Sequence, residues 1–126
     1  MNKLIKLVDV LSNETIYKGI GICKDLKNNG REICFGTKEH NFVYKVWDKG
    51  CIIESRQECQ VVLSLRLGSK TVGHIYSEFG QMDVKCTTTL YRVEENMIEI
   101  EYALGEDQFF HFKLYVENEE EKYAIH

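Results

Sequence analysis

Residues 56–104 decide the fold class of this chain: RQECQVVLSLRLGSKTVGHIYSEFGQMDVKCTTTLYRVEENMIEIEYAL. The clearest run is 96–104, in which apolar side chains occupy every second position and acidic side chains stand between them. A period of two is typical of a half-buried β-strand. Residues 59–67 and 81–91 alternate in the same way, and Gly68-Ser69 and Gly80 supply turn residues beside them. The stretch therefore predicts successive antiparallel strands.

The same rhythm extends to both sides of this stretch. Residues 14–24, 33–38, 41–48, 51–56 and 108–117 read as further strands. Residues 3–12 also fit a helix face, but the segment is short and lacks an N-cap, so a strand is preferred. Asn28-Asn29-Gly30 predicts a hairpin turn, and Asp48-Lys49-Gly50 predicts a turn with a positive φ at Gly50. Gly19 and Gly21 indicate a bulge, a bend or a close approach of another group.

About eight to ten strands without a helix make a sheet too large to stay open and flat. The sequence therefore predicts an all-β fold, an antiparallel meander closed into a barrel, in preference to a two-sheet sandwich. Residues 41–48 carry apolar groups on both faces, which predicts cover on both sides. Seven side chains are expected to point inward and either to fill the interior or to line a cavity. They are Leu63, Leu65, Met82, Ile98, Ile100, Phe110 and Phe112.

Composition limits the functional classes. The 126 residues predict one domain, 1–126, with a charged C-terminal tail from about residue 118. The net charge is -4 and the basic residues are scattered, so no nucleic-acid partner is expected. The N-terminus does not resemble a signal peptide and no apolar run suits a membrane helix, which predicts a cytoplasmic protein without a membrane partner. Five cysteines at irregular spacing indicate reduced thiols, with Cys59 and Cys86 on apolar faces.

Several motifs resemble those of the YwiB-like family of small bacterial proteins of unknown function. The runs are IESR, CQVVLSLRLGS, GHIYSEFG, QMDVKCTTTLY and IEIEYAL. In the family, an arginine closes a strand before an apolar strand, a tyrosine lies four residues before a glycine turn, and the closing strand ends in Tyr-x-Leu. The matching residues here are Arg56, Tyr76, Gly80, Tyr102 and Leu104.

The resemblance covers residues 43–116 and implies a fold similar to the calycins, the barrel superfamily that includes the lipocalins. It thereby implies a barrel with a central cavity, but it supplies no activity, because fold alone does not imply function. The early Gly-x-Trp and the disulfide of secreted lipocalins are not recognisable in this sequence.

Arg56, His74 and Tyr76 are the candidate ligand-binding residues. His74 and Tyr76 lie two apart on one strand and share a face, and Arg56 can reach that face if the strand registers align. Such a trio at a barrel mouth can bind a carboxylate or a phosphate. In the preferred alternative interpretation, Arg56 packs over an aromatic ring and the other two side chains bond to the backbone.

Catalytic and metal sites are not predicted. Glu99 and Glu101 share a strand face, which a solvated outer surface explains better than a catalytic carboxylate pair. The four histidines, His40, His74, His111 and His126, lack metal-ligand spacing. The sequence contains no nucleophile motif and no phosphate-binding glycine loop, and no cofactor is expected.

Phe109 and Tyr115 are predicted to point outward from the last strand, where two rings on a polar face can mark a partner surface or pack under a loop.

The sequence leads to two main hypotheses for the function of the whole barrel. The first is a non-enzymatic barrel that binds a small, partly apolar and anionic ligand. The second is a filled barrel that acts as a homodimer or a protein-interaction module without ligand. A hydrolase or isomerase using His74 and Arg56 ranks below both.

Overall fold

The structure is a computed structural model that describes residues 1–118, and these residues form ten β-strands. The strands are β1 Asn2–Asp9, β2 Glu14–Leu26, β3 Gly30–Gly36, β4 Asn41–Val46, β5 Gly50–Arg56, β6 Gln60–Arg66, β7 Lys70–Ser77, β8 Gly80–Val93, β9 Met97–Leu104 and β10 Gln108–Asn118. The ambiguous segment at the N-terminus is a strand, as predicted. The predicted charged tail lies outside the described residues beyond Asn118.

Each strand pairs antiparallel with the next, and β1 pairs with β10, so the sheet closes into a ten-stranded barrel. The closing register places Leu7 opposite Leu114 and Ile5 opposite Val116. The predicted meandering barrel is therefore confirmed. Among the described residues, no helix is long and apolar enough to cross a membrane.

The core fills the barrel interior from alternate positions of the strands. Ile33 and Cys86 have no exposed surface, and Ile5, Ile98 and Leu114 are each 1% exposed. The other buried apolar side chains are Leu7, Phe35, Phe42, Tyr44, Val46, Cys51, Ile53, Leu63, Leu65, Tyr91, Ile100, Tyr102 and Val116. Burial of this apolar surface is the main stabilising contribution to the fold.

Gly21 and Gly50 lie where a side chain would collide with a neighbouring strand. A Cβ on Gly21 would lie 2.5 Å from Ile5 Cγ1, so close approach is the observed reason for this glycine. Gly50 does not have the positive φ that the turn pattern predicted; the glycines with a positive φ are Gly36, Gly68, Gly80 and Gly105. It opens β5 instead, where a Cβ would lie 2.5 Å from the Leu65 carbonyl oxygen. At the predicted 28–30 hairpin the positive φ angles belong to Asn28 and Asn29.

Strand β8 differs from the prediction in two places, by a register shift and by an exposed residue beyond the end of β9. The register with β9 shifts between Thr88 and Leu90, so Tyr91 is buried while Leu90 lies on the outer face opposite Glu101. Met82 was predicted to point into the core but is 59% exposed, because β8 begins beyond the end of its neighbour β9. The inward assignment of Met82 is wrong for that reason.

Two smaller expectations also fail. Cys59 was placed on an apolar face but lies in the exposed turn before β6, whereas Cys86 is fully buried as expected. Strand β4 was expected to be covered on both faces. Its inward face is buried, but Val43 and Lys45 on the outer face are only half-buried, because no second layer formed by residues 1–118 packs on the barrel wall there.

Candidate functional site

One end of the barrel carries a cavity of about 340 Å³. Strands β1 and β3 begin at this end, β2 and β10 finish there, and the β8–β9 turn contributes Asn96. Lys3 and Arg31 point to the same side as Ile5 and Ile33, two residues further along their strands, because side chains alternate along a strand. The cavity is therefore the opening of the barrel interior. We call it the mouth, defined by Lys3, Cys23, Arg31, Asn96 and Val116.

Arg31 is held in place by the β8–β9 turn. Its Nη1 donates to the Glu95 carbonyl at 2.9 Å, and its Nη2 donates to the Glu94 carbonyl at 3.1 Å. Lys3 Nζ donates to Asn118 Oδ1 across the β1–β10 pair. A guanidinium carries five N–H donors, so these two bonds leave Arg31 with donors for a further acceptor. Both cations are half-buried.

The Cys23 thiol lies in the mouth within range of both positive charges. Burial raises the pKa of this thiol, while the positive charges of Lys3 and Arg31 act in the opposite direction. Both cations therefore act on one point of the cavity wall. Because its pKa is raised, Cys23 stays a protonated and weakly reactive thiol.

The remaining charges of the mouth lie further out. Asp25, Glu95 and the N-terminal ammonium of Met1 are exposed at the rim, and that ammonium donates to the Cys23 carbonyl at 3.1 Å. Lys24 is paired at 2.9 Å with Glu32 on the outer face, and the hydrogen bond to Glu32 raises the pKa of Lys24. The half-buried charged groups of the mouth are thus Lys3 and Arg31. Partly buried charges are screened less by water and salt than exposed ones, so the two cations dominate the inner part of the cavity.

The interior becomes apolar directly below these cations. Ile5, Ile33 and Leu114 each lie two residues deeper on the strands that supply Lys3, Arg31 and Val116, and all three are fully buried. At the opposite end the interior holds stacked rings. Phe35 and Phe42 have centroids 4.9 Å apart, and Tyr102 and Phe110 have centroids 5.3 Å apart. The mouth therefore combines a cationic wall with an apolar floor.

The predicted trio lies on the outer wall, away from the mouth. Arg56 is opposite Gln60, and Gln60 is opposite Tyr76, so these residues form one row across β5, β6 and β7. His74 lies two residues before Tyr76 on β7, and the centroids of their rings are 6.2 Å apart. The shared face is as predicted. No contact of the Arg56 side chain with His74 or Tyr76 is found in residues 1–118.

His74 already has an acidic partner. Its Nδ1 lies 2.7 Å from Asp83 Oδ1, and Gln81 Nε2 donates to the same carboxylate oxygen at 3.1 Å. The hydrogen bonds from His74 and Gln81 lower the pKa of Asp83, so this exposed carboxylate stays charged. A negative charge beside His74 disfavours the binding of an anion at the trio.

Glu99 and Glu101 do not form the solvated pair that the sequence predicted. Glu99 is only 7% exposed, and its two oxygens bind Arg92 Nη2 at 3.1 Å and His111 Nε2 at 2.7 Å. His111 Nδ1 lies 3.6 Å from Glu101, which also accepts from Thr89 Oγ1 at 2.8 Å. Flanking strands thus cover Glu99 with long polar side chains. The sequence signal for this network was a pair of acids two residues apart on β9, opposite a histidine on β10.

The two predicted surface rings differ in exposure. Phe109 is 66% exposed at the start of β10. Tyr115 is half-buried between its cross-strand neighbours Lys6 and Met97.

Within the described part of the chain, no group of three or more His, Cys, Asp or Glu side chains is arranged to hold a metal ion.

Comparison with solved structures gives one informative match. The chain is similar to the crystal structure of the YwiB protein from Bacillus subtilis, with a TM-score of 0.66 and 16% sequence identity. The match covers 93% of this chain and 88% of that chain. The chain has a YwiB-like fold. No protein-family model and no curated protein matches the chain.

Proposed function

We propose that this YwiB-like barrel binds a small, partly apolar anion at the mouth. The observation that carries the proposal is the convergence of Lys3 and Arg31 on one wall of a cavity of about 340 Å³. That volume falls within the usual range of small-molecule pockets, roughly 300–1,000 Å³.

The two cations suit a carboxylate or a similar oxyanion. Arg31 is fixed by two main-chain carbonyls, so little side-chain entropy is lost when it binds a ligand. Lys3 adds a point charge from the neighbouring side of the opening, and a charge-assisted hydrogen bond is stronger than a neutral one. The apolar part of the ligand would contact Val116 and the floor beneath it.

The outer-wall trio is the second candidate for the same function. Arg56 is exposed and free to bind an anion beside Tyr76, whereas Asp83 opposes an anion at His74. The mouth is preferred because its cations are half-buried and face a concave surface.

We further infer a relationship in architecture to the calycins, which the closed ten-stranded meander supports. We also infer a cytoplasmic location, which the five free cysteines support, since such thiols persist in reducing compartments.

The test uses anilinonaphthalene sulfonate, an apolar anion whose fluorescence rises in apolar sites, and uncharged phenylnaphthylamine as its neutral counterpart. Lys3→Met keeps the aliphatic stem and removes the charge, and Lys6→Met is the matched control on the outer face of the same strand. We expect Lys3→Met to weaken binding of the sulfonate about tenfold, equivalent to about 1.4 kcal/mol. Lys6→Met should leave it unchanged, and neither variant should alter binding of the neutral probe.

Equal affinities of the two lysine variants for the sulfonate would contradict the mouth as the site. Loss of sulfonate binding in Arg56→Ala but not in Lys3→Met would move the site to the outer wall. Native mass spectrometry of protein purified from its own host then identifies any retained ligand by mass.

A further inference from the structure

The β7–β8 hairpin extends beyond the end of its neighbour β9. The last residue of β9, Leu104, lies opposite Cys86, and the Gly105 N–H donates to the Lys85 carbonyl at 2.9 Å. Residues 80–84 of β8 continue past this point while still paired with β7 on the other side. Five residues at about 3.3 Å each give a projection of roughly 17 Å. The β9-facing edge of this segment has no backbone partner within residues 1–118. We call it the free edge.

The direction of each main-chain group follows from the hairpin turn. Ser77 pairs with Gly80 across the two-residue turn, so the amides and carbonyls of Gly80, Met82 and Val84 face β7. Those of Gln81 and Asp83 face the opposite way. The bond from Gly105 to Lys85, an odd-numbered neighbour, agrees with this assignment. The free edge therefore presents two N–H and two C=O groups in strand geometry, which is a template for another strand.

We propose that the free edge pairs with the same edge of a second copy of this chain, antiparallel, with the two-fold axis at Met82. This register places Gln81 of each copy opposite Asp83 of the other. All four free main-chain groups of each copy then form hydrogen bonds, because two directly opposed residues that face each other exchange both bonds. The same patch serves both copies, as an isologous dimer requires.

The side chains fit this register. Met82 is 59% exposed on a single chain, and the two Met82 side chains would cover each other at the axis, where opposed residues approach most closely. Asp83 would face an amide, which can donate to it. His74 and Gln81 already hold the Asp83 carboxylate in place on the same face.

Neighbouring registers fit less well. An axis at Asp83 would oppose two carboxylates directly, which destabilises a strand pair. An axis at Gln81 would place Asp83 opposite Phe79 in the turn, where the strand has ended. Strand β10, which carries Phe109 and Tyr115, is paired along both edges, with β1 and with β9. It can contribute to an interface only through its side chains.

The register is tested by cross-linking. In a background with Cys59→Ser, which removes the exposed thiol, Met82→Cys should give a disulfide-linked dimer on mild oxidation, because the opposed Cα atoms would lie about 4.5 Å apart. Val72→Cys is the control, since Val72 is 49% exposed on the same hairpin but away from the edge. We expect at least tenfold more linked dimer from Met82→Cys. Equal yields from the two variants would overturn the proposed pairing.

The role of the backbone is tested by sedimentation at increasing concentration. The unsubstituted chain should show a concentration-dependent dimer. Asp83→Pro removes the outward N–H, whereas Asp83→Ala removes the same carboxylate and keeps the N–H. We expect the dimer dissociation constant of Asp83→Pro to exceed that of Asp83→Ala at least tenfold. A dimer that survives Asp83→Pro, or a chain that stays monomeric throughout, overturns the proposal. If Asp83→Pro does not fold, the cross-linking yields decide.

Discussion

His40 shows how a single side chain beside a turn can make barrel stability depend on pH. Its Nε2 lies 3.0 Å from Ser55 Oγ, its Nδ1 lies 2.5 Å from Gln57 Nε2, and its ring is 4.1 Å from that of Phe42. Burial lowers the pKa of His40, because desolvation disfavours the charged ring. The neutral ring can accept the Gln57 amide hydrogen at Nδ1 and donate to Ser55 at Nε2, and a protonated ring could no longer accept.

The direction of the pH effect follows from this lowered pKa. The unfolded chain takes up the His40 proton at a higher pH than the folded chain does. The contribution of His40 is therefore complete above the unfolded value of about 6.5 and is lost as the pH falls through the folded value. We expect the free energy of unfolding to fall more between about pH 7.5 and about pH 5 in the unsubstituted chain than in His40→Gln. Urea titrations at both pH values measure the difference, and identical changes in the two proteins would exclude His40 as the cause.

At the scale of a strand, the register shift in β8 determines which side chain closes the core. After the shift Tyr91 points inward, and its hydroxyl lies 2.8 Å from the Gly50 carbonyl and also contacts the Trp47 carbonyl. The bond ties β8 to the β4–β5 turn across the end of the barrel. Burial raises the pKa of Tyr91, so the hydroxyl keeps its proton and donates.

Tyr91→Phe should therefore destabilise the barrel. The change removes the only donor that Tyr91 offers to these carbonyls, at an expected cost of about 1–2 kcal/mol in the free energy of unfolding. Tyr76→Phe is the matched control, because the Tyr76 side chain is 39% exposed and its hydroxyl has no hydrogen bond within residues 1–118. Chemical denaturation of both variants checks this. A loss for Tyr76→Phe as large as that for Tyr91→Phe would refute the proposed role of the buried hydroxyl.

The strands were predictable from the sequence, whereas several details of β8 were not. Alternation with a period of two identifies a strand and its faces from local residues alone. It does not give the length of the neighbouring strand, which decides that Met82 is exposed. It also does not mark the extra residue near Thr89, because Leu90 and Tyr91 are both apolar enough to occupy the core.

The mouth was missed although a signal for it exists. Lys3 shares a face with Ile5 and Leu7, and Arg31 shares a face with Ile33 and Phe35, so both cations continue an inward row. Neither strand shows by itself that the two rows meet at one end of the barrel. That meeting depends on the order of the strands and on the pairing of β1 with β10. The trio, in contrast, came from residues two apart on one strand, and its shared face was predictable.

At the scale of the whole molecule, the barrel has an uneven distribution of charge between its ends. The turns opposite the mouth carry one lysine, Lys38, and several acids, which are Glu39, Glu58, Glu78, Glu106 and Asp107. At the mouth end the turns carry two lysines, Lys27 and Lys49, and three acids, Asp48, Glu94 and Glu95, and Lys3 and Arg31 add two positive charges inside the opening. Such an arrangement repels an anion from one end of the molecule and attracts it to the other, and it thereby orients the approach of the proposed ligand.

This polarity makes binding of the proposed ligand sensitive to ionic strength. The Debye length falls from about 30 Å at about 0.01 M salt to about 8 Å at about 0.15 M, so added salt screens the charges of the far end before those beside the ligand. We expect the affinity for anilinonaphthalene sulfonate to fall severalfold over this range. The affinity for uncharged phenylnaphthylamine should stay constant, because burial of apolar surface is not screened. In Lys3→Met the salt dependence should be smaller than in Lys6→Met, which removes an equal charge from the outer wall of the same strand. Parallel salt curves for these two variants would show that the sulfonate responds to net charge alone and does not contact the mouth.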